Sequence, residues 1–449
     1  MIQALVNSFK IPDLRRRLLV TLALVAVYRI GVFIPTPGID GQRLSQFFDQ
    51  VAQTQGGTLF SIVNMFSGGA MEQLTIFALG IMPYISASII LQLLTAVIPA
   101  LEKLAKQGEA GRRRITQYTR YGTVVLAVIQ SFFISLWIEN PDHFGGLLIV
   151  QHPGWSFRLL TVLTLTSGTA FIMWLGEQIT EYGIGNGMSL LITVNIISRI
   201  PAALTQLYFL YSPLESAKRQ LSGLTLVTLG AMMVGVIIAV IQLTEASRHI
   251  PVQYAKRIVG RRMFEGKSTY LPLRINQAGV IPIIFAQSII LFPATIAGLV
   301  PNPAVQTVAN FLTRGQMVYM ILYSALIIFF SFFYTAITLN PVDLAENMQK
   351  SGSFIPGIRP GRPTAEHLDY VISRITWPGA IALAVVAILP NFVSSSLKVP
   401  YLVASFLGGT GLLIIVGVML DTMKQIESQL LMRHYEGFIK RGRLRGRYG

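Results

Sequence analysis

The sequence contains no cysteine, so it forms no disulfide, offers no thiol nucleophile and builds no thiolate metal site. Charge is scarce too: Asp, Glu, Lys and Arg make up 12% of 449 residues, and only 20 residues are acidic. Histidine occurs five times, at His143, His152, His249, His367 and His434, always outside the long apolar runs, so none can serve a mid-membrane serine as a base. HExxH and GxSxG are missing. A phosphate-loop lookalike, Gly260 with Gly266, Lys267 and Ser268, places five residues between its glycines where that loop needs four, and no strand pattern leads into it. It reads as a basic loop. Nothing here supports an enzyme, and no cofactor or metal is expected.

Apolar residues are what the chain has in excess, at 52%. A soluble domain cannot bury that share, and runs of about 17 to 25 mainly apolar residues fit a hydrocarbon core ~30 Å thick. Ten spans are expected: Leu18–Ile34, Leu74–Ile98, Gly122–Ile138, Leu159–Leu175, Met188–Leu204, Leu224–Leu243, Val280–Val300, Val318–Leu339, Trp377–Val393 and Tyr401–Leu420. The runs lack the alternation of barrel strands, and a helix satisfies its backbone within one segment, so the fold class is an all-α integral membrane protein. The stretch after Arg15, Arg16 and Arg17 reads as a first span and not as a signal peptide, because no small-residue cleavage site follows it.

Lys and Arg number 36, a net charge of +16. Of these, 28 lie on one side of the expected topology and only 6 on the other. By the positive-inside rule both termini are cytoplasmic, and orientation accounts for most of the surplus. The link after the fourth span departs from the rule, carrying Glu177 and Glu181 without a basic residue. The external link 207–222 divides the spans five and five, which permits two inverted halves around a central site. The expected organisation is an N-terminal half 1–206, a hinge 207–222, a C-terminal half 223–423 and a basic cytosolic tail 424–449.

An ion-coupled transporter would place carboxylates inside its helices, and these spans contain none. Arg29 and Arg199, the only charges within spans, sit near helix ends and read as snorkelling side chains. An apolar pore is the better hypothesis, with a secondary transporter for a small solute as the alternative. Pro83 predicts a bend in the second span.

Several segments resemble the SecY/Sec61-alpha family: NMFSGG (64–69), TIFALGIMPYISASIILQ (75–92), QYTRYGT (117–123), MWLGEQIT (173–180), GIGNG (183–187), IPVQYAKR (250–257), AGVIPIIFAQSIILFPATIA (278–297), GIRPGRPT (357–364) and LGGTGLLI (407–414). They run in order from about Arg15 to the tail. The resemblance implies a clamshell of two five-helix halves, sealed at mid-membrane by a pore ring that here would be Ile81, Ile85, Ile192, Ile284 and Ile414. It implies a plug in 56–69, carried by Leu59, Phe60, Ile62, Val63, Asn64 and Phe66, and a lateral gate with Ser86, Ser88, Gln92, Asn276, Gln287 and Ser288. Docking of a SecA-like motor ATPase or a ribosome, ribosomal RNA included, would use loops 245–274 and 340–374 through Lys256, Arg257, Arg261, Arg262, Arg359 and Arg362. The first loop departs from the family's Arg-rich pattern, having Glu245, Ala246, Ser247, Arg248 and His249 before Ile250. SecE-like and SecG-like subunits, signal sequences, nascent polypeptides and membrane lipids complete the expected partners, and the bacterial cytoplasmic membrane the expected location.

Overall fold

A computed structural model describes residues 11–54, 64, 67–144, 147–211, 223–254, 257–259, 262–264, 268–299, 317–397, 403, 404, 406 and 409–441. In chain order its helices are α1 Pro12–Gly31, α2 Gly41–Thr54, α3 Met82–Val97, α4 Pro99–Ala105, α5 Glu109–Glu139, α6 Trp155–Tyr182, α7 Gly187–Ser198, α8 Ile200–Tyr211, α9 Gly223–Glu245, α10 Ile281–Leu299, α11 Met317–Thr338, α12 Pro341–Lys350, α13 Arg362–Leu397 and α14 Thr410–Arg441. Strands β1 Ser247–Tyr254, β2 Arg257–Val259, β3 Arg262–Phe264, β4 Ser268–Arg274 and β5 Ser353–Phe354 lie between them. The chain divides into two compact units, Met1–Gln206 with Leu291–Asn310 and Val418–Gly449, and Leu207–Ile290 with Phe311–Gly417.

Among the described residues, α5, α6, α7 with α8, α9, α11 with α12, and α13 are each long and apolar enough to cross a bilayer. The pair α3 and α4, bent by 104° where Pro99 follows Ile98, makes a seventh candidate. Large apolar side chains stay exposed along these helices, among them Leu163 (66%), Val227 (66%) and Val385 (59%), a surface that lipid covers. The protein is a multi-pass helical membrane protein.

Among the described residues each expected span overlaps a helix, with shifted ends, the tenth from Thr410 onward. The second does not begin as one: residues 74–81 run as tight turns, and Pro83 sits in the first turn of α3, where its missing N–H costs nothing. The expected bend at Pro83 is therefore replaced by a helix start there. The span expected from Met188 breaks at Arg199 into α7 and α8, and α14 runs past Leu420 to Arg441, so the tail continues a helix. Glu177 lies on α6 and not in a link. Its carboxylate takes two 2.8 Å hydrogen bonds from Arg120 of α5, which explains an acidic group on a basic side.

In the first unit, GIGNG closes the bundle. Ile184 N–H donates to Thr21 Oγ1 of α1 (3.1 Å), Gly185 N–H to Gln425 Oε1 of α14 (2.9 Å) and Gly187 N–H to Thr180 Oγ1 of α6 (2.9 Å), while Asn186 Oδ1 caps α7 by accepting from Ser189 N–H (3.2 Å). A Cβ on Gly187 would stand 1.9 Å from the Gly176 carbonyl oxygen, so α6 and α7 meet only because that Cβ is missing. Gly187→Ala is expected to cost about 1–3 kcal/mol, read as a lower thermal unfolding midpoint of the purified protein.

In the second unit, β1 pairs antiparallel with β4 (Ile250 opposite Leu271) and, on its other edge, with β5 (Tyr254 opposite Ser353). Ile250 and Val252 on the inner face join Leu273, Met348, Ile355, Leu368, Val371 and Ile372 in one apolar core. The two loops that the sequence shows as separate basic stretches are therefore one platform built on α12 and α13.

Candidate functional site

The NMFSGG motif folds by its own side chains. Ser67 Oγ donates to the Asn64 carbonyl (3.2 Å) and accepts from Met71 N–H (3.2 Å), and Asn64 Oδ1 accepts from Glu72 N–H (3.3 Å). Gly68 and Gly69 take φ of +67° and +98°, conformations that L side chains avoid. Both intramembrane arginines come to this turn: Arg29 Nη1 donates to the Gly68 carbonyl (3.4 Å), and Arg199 Nη2 stands 3.0 Å from Glu72 Oε2. Added carbons would meet Asn195 Oδ1 at 2.6 Å from Gly68 and the Arg199 guanidinium at 3.3 Å from Gly69. The snorkelling expected of Arg29 and Arg199 is overturned. A lone charge in an apolar span finds its partner inside the protein, and Glu72, two residues before the second expected span, was the signal in the sequence.

Below the turn the chain reaches α3 without regular helix. Thr36 N–H donates to the Leu74 carbonyl (3.1 Å) and Ile76 N–H to the Ile34 carbonyl (3.0 Å), so the segment after α1 satisfies backbone groups that lipid could not. Ile81 caps α3, and Ile85 N–H donates to its carbonyl at 3.1 Å, placing the two on one helical face. Ile81, Ile85 and, on α7, Ile192 are 3%, 5% and 3% exposed. Ser86 is buried, and Gln92 Nε2 donates to Ser88 Oγ (3.2 Å), one turn apart.

In the second unit Ile284 and Ile414 are 5% and 0% exposed. Asn276 Nδ2 donates to the Gly279 carbonyl (3.0 Å), and Ser288 Oγ to the Ile284 carbonyl (2.8 Å). Gln287 is 1% exposed, yet neither amide atom has a hydrogen-bond partner among the described residues. Of the expected plug residues only Asn64 is described; Leu59, Phe60, Ile62, Val63 and Phe66 lie outside the described residues.

On the platform, Gly357 and Gly361 hold φ of +84° and +98°, and the Arg359 carbonyl accepts from Thr364 Oγ1 (2.8 Å). This turn leaves the Arg359 side chain exposed. Arg362 is exposed and pairs with Glu366 at 3.0 Å, a surface contact of small energetic weight. Arg257 and Arg262 fall on the β2–β3 hairpin, while Lys256 and Arg261 lie outside the described residues.

The SecY family profile matches residues 75–423, from the turns above Ile81 to the middle of α14. The chain belongs to the SecY family. The protein translocase subunit SecY of Streptomyces coelicolor is 48% identical, covering 98% of this chain and 100% of that protein. That of Aquifex aeolicus is 43% identical, covering 96% and 98%. Among solved structures, a protein conducting channel aligns with a TM-score of 0.65 at 17% identity over 92% of each chain. Sec61 from a canine ribosome-channel complex aligns with a TM-score of 0.60 at 16% identity, again over 92% of each. As a SecY-family member the chain is a protein-conducting translocation channel, and the small-solute transporter falls away as an alternative.

Proposed function

We propose that unfolded secretory polypeptide crosses this channel through a waist of Ile81, Ile85, Ile192, Ile284 and Ile414. The observation that carries this reading is that all five are at most 5% exposed, whereas Ile30 and Ile321, both on apolar helices, are 65% exposed and face outward. A narrow ring of branched alkyl groups expels water and ions by dewetting, yet binds no particular peptide sequence. Segment 56–69 acts as the plug. A SecY protein among the structural relatives has a plug domain described as stabilising the closed state and maintaining a membrane seal, which supports that assignment.

Apolar helices leave sideways between the halves 1–206 and 223–423, hinged at 207–222. Ser86, Ser88, Gln92, Asn276, Gln287 and Ser288 supply exchangeable polar contacts there, worth on the order of 1 kcal/mol each. Gln287 fits such a seam, since an unpartnered buried amide favours any rearrangement that satisfies it. The platform docks a SecA-like motor or a ribosome, with Arg359 as the principal contact and Lys256, Arg257, Arg261, Arg262 and Arg362 as further basic contacts; solved relatives include Sec61 and Ssh1 complexes with ribosomes. Arg suits ribosomal phosphate as well as protein carboxylates. SecE-like and SecG-like subunits complete the channel in the bacterial cytoplasmic membrane, with both termini and the 424–449 tail cytoplasmic. The chain catalyses no covalent step, and its energy comes from the motor, from translation or from the membrane potential. Reconstituted in liposomes with these factors it exports a secretory precursor; accumulation of a small metabolite without export overturns the proposal.

A further inference from the structure

Ile192, Asn195 and Arg199 follow one another at three and four residues, so they share a stripe of α7 that runs from a proposed waist residue to the cluster at the Gly68–Gly69 turn. That turn begins the irregular segment ending at Ile81. Residues 67–81 have no continuous helix to fix their length or direction, and Leu74 even takes a φ of +40° without being glycine. Where Ile81 stands therefore depends on the points at which the segment is fastened. In the middle it is fastened to the segment after α1, through the Thr36–Leu74 and Ile34–Ile76 hydrogen bonds. At its start it is fastened by Arg29 to α1 and by Arg199 to α7.

We propose that Arg29, Glu72 and Arg199 form a register pin that holds Ile81 and Ile85 against Ile192 and so sets the resting closure of the waist. The Arg199–Glu72 pair couples the α7 stripe to the segment. Sliding or turning α7 past the segment, the motion that would displace Ile192 from Ile81, has to break this pair. The side chains of Arg199 and Glu72 are 14% and 29% exposed, a setting in which solvent screens less than at an open surface. These are positioning residues, which act on the waist through the segment and the helix. The inference rests on the waist reading of Ile81, Ile85 and Ile192.

The experiment uses the complete channel with its small subunits in planar bilayers and in liposomes. Arg199→Ala and Glu72→Gln are each expected to raise resting ion conductance about tenfold, the equivalent of ~1.4 kcal/mol in the closed-to-open balance. Both should also let a precursor with a weakened signal helix cross, because less binding energy is needed to open a loosened waist. The exchange Glu72→Arg with Arg199→Glu restores the seal in part, which a general loss of stability would not allow. Glu72→Gln preserves shape and so serves where Arg199→Ala fails to assemble. If conductance and signal stringency stay at the wild-type level in both single variants, the pin is wrong. Failure of the waist reading looks different: a photo-crosslinker at Ile85 of the wild-type channel then labels no translocating chain, whatever the pin variants do.

Discussion

A photo-crosslinker at Ile85 or at Ile284 labels a secretory chain stalled in transit, while the same probe at Ile90 labels lipid. The contrast is large because the positions differ in surroundings and not in chemistry: Ile85 and Ile284 are 5% exposed, and Ile90, one and a half turns further along α3, is 46% exposed on the outer face. An apolar waist has no group that retains the polypeptide, so the stalled chain passes within reach of every side chain lining it. Labelling of neighbouring helices alone at both buried positions removes them from the waist. Ile90 controls for probe reactivity, since it sits on the same helix and inserts into the membrane equally well.

Arg359→Glu stops most secretion while the channel itself inserts and accumulates normally. Arg359 is exposed at the tip of a turn whose shape comes from Gly357, Gly361 and the Thr364 hydrogen bond to the Arg359 carbonyl, none of which involves its side chain. Reversing the charge therefore leaves the platform folded, with its core of Ile250, Val252, Leu368 and neighbours untouched. A central arginine of an interface is typically worth more than ~2 kcal/mol, about a thirtyfold loss of affinity, and reversal adds repulsion to that loss. Arg362→Glu, at a side chain already paired with Glu366 on the surface, is expected to do much less. Full secretion by the Arg359→Glu channel ends the docking assignment.

Helix positions and family were legible in the residues because both depend on local order. An apolar run of about twenty residues has few ways to satisfy its backbone in lipid, so each expected span overlaps a helix among the described residues. The loops were less legible. Tyr254 and Ser353 are 99 positions apart, and no period in the sequence shows that β1 and β5 pair. Helix α2 also escaped the reading: its apolar stripe, Leu44, Phe47 and Phe48, is short, and its partners Trp137 and Phe144 are far along the chain.

The arginines mark the boundary most sharply. Snorkelling was the reasonable expectation for Arg29 and Arg199, because each lies near a span end and a long side chain can reach water from there. Whether it does so depends on whether an acceptor lies closer, and Glu72 and the Gly68 carbonyl come close only once the turn and α7 have packed. The sequence alone determined that the chain lives in lipid and crosses it as helices, since hydropathy acts on each segment separately. Tertiary packing alone decided which buried polar groups meet, because a hydrogen bond or ion pair needs two partners within about 3 Å, and distance along the chain says nothing about that.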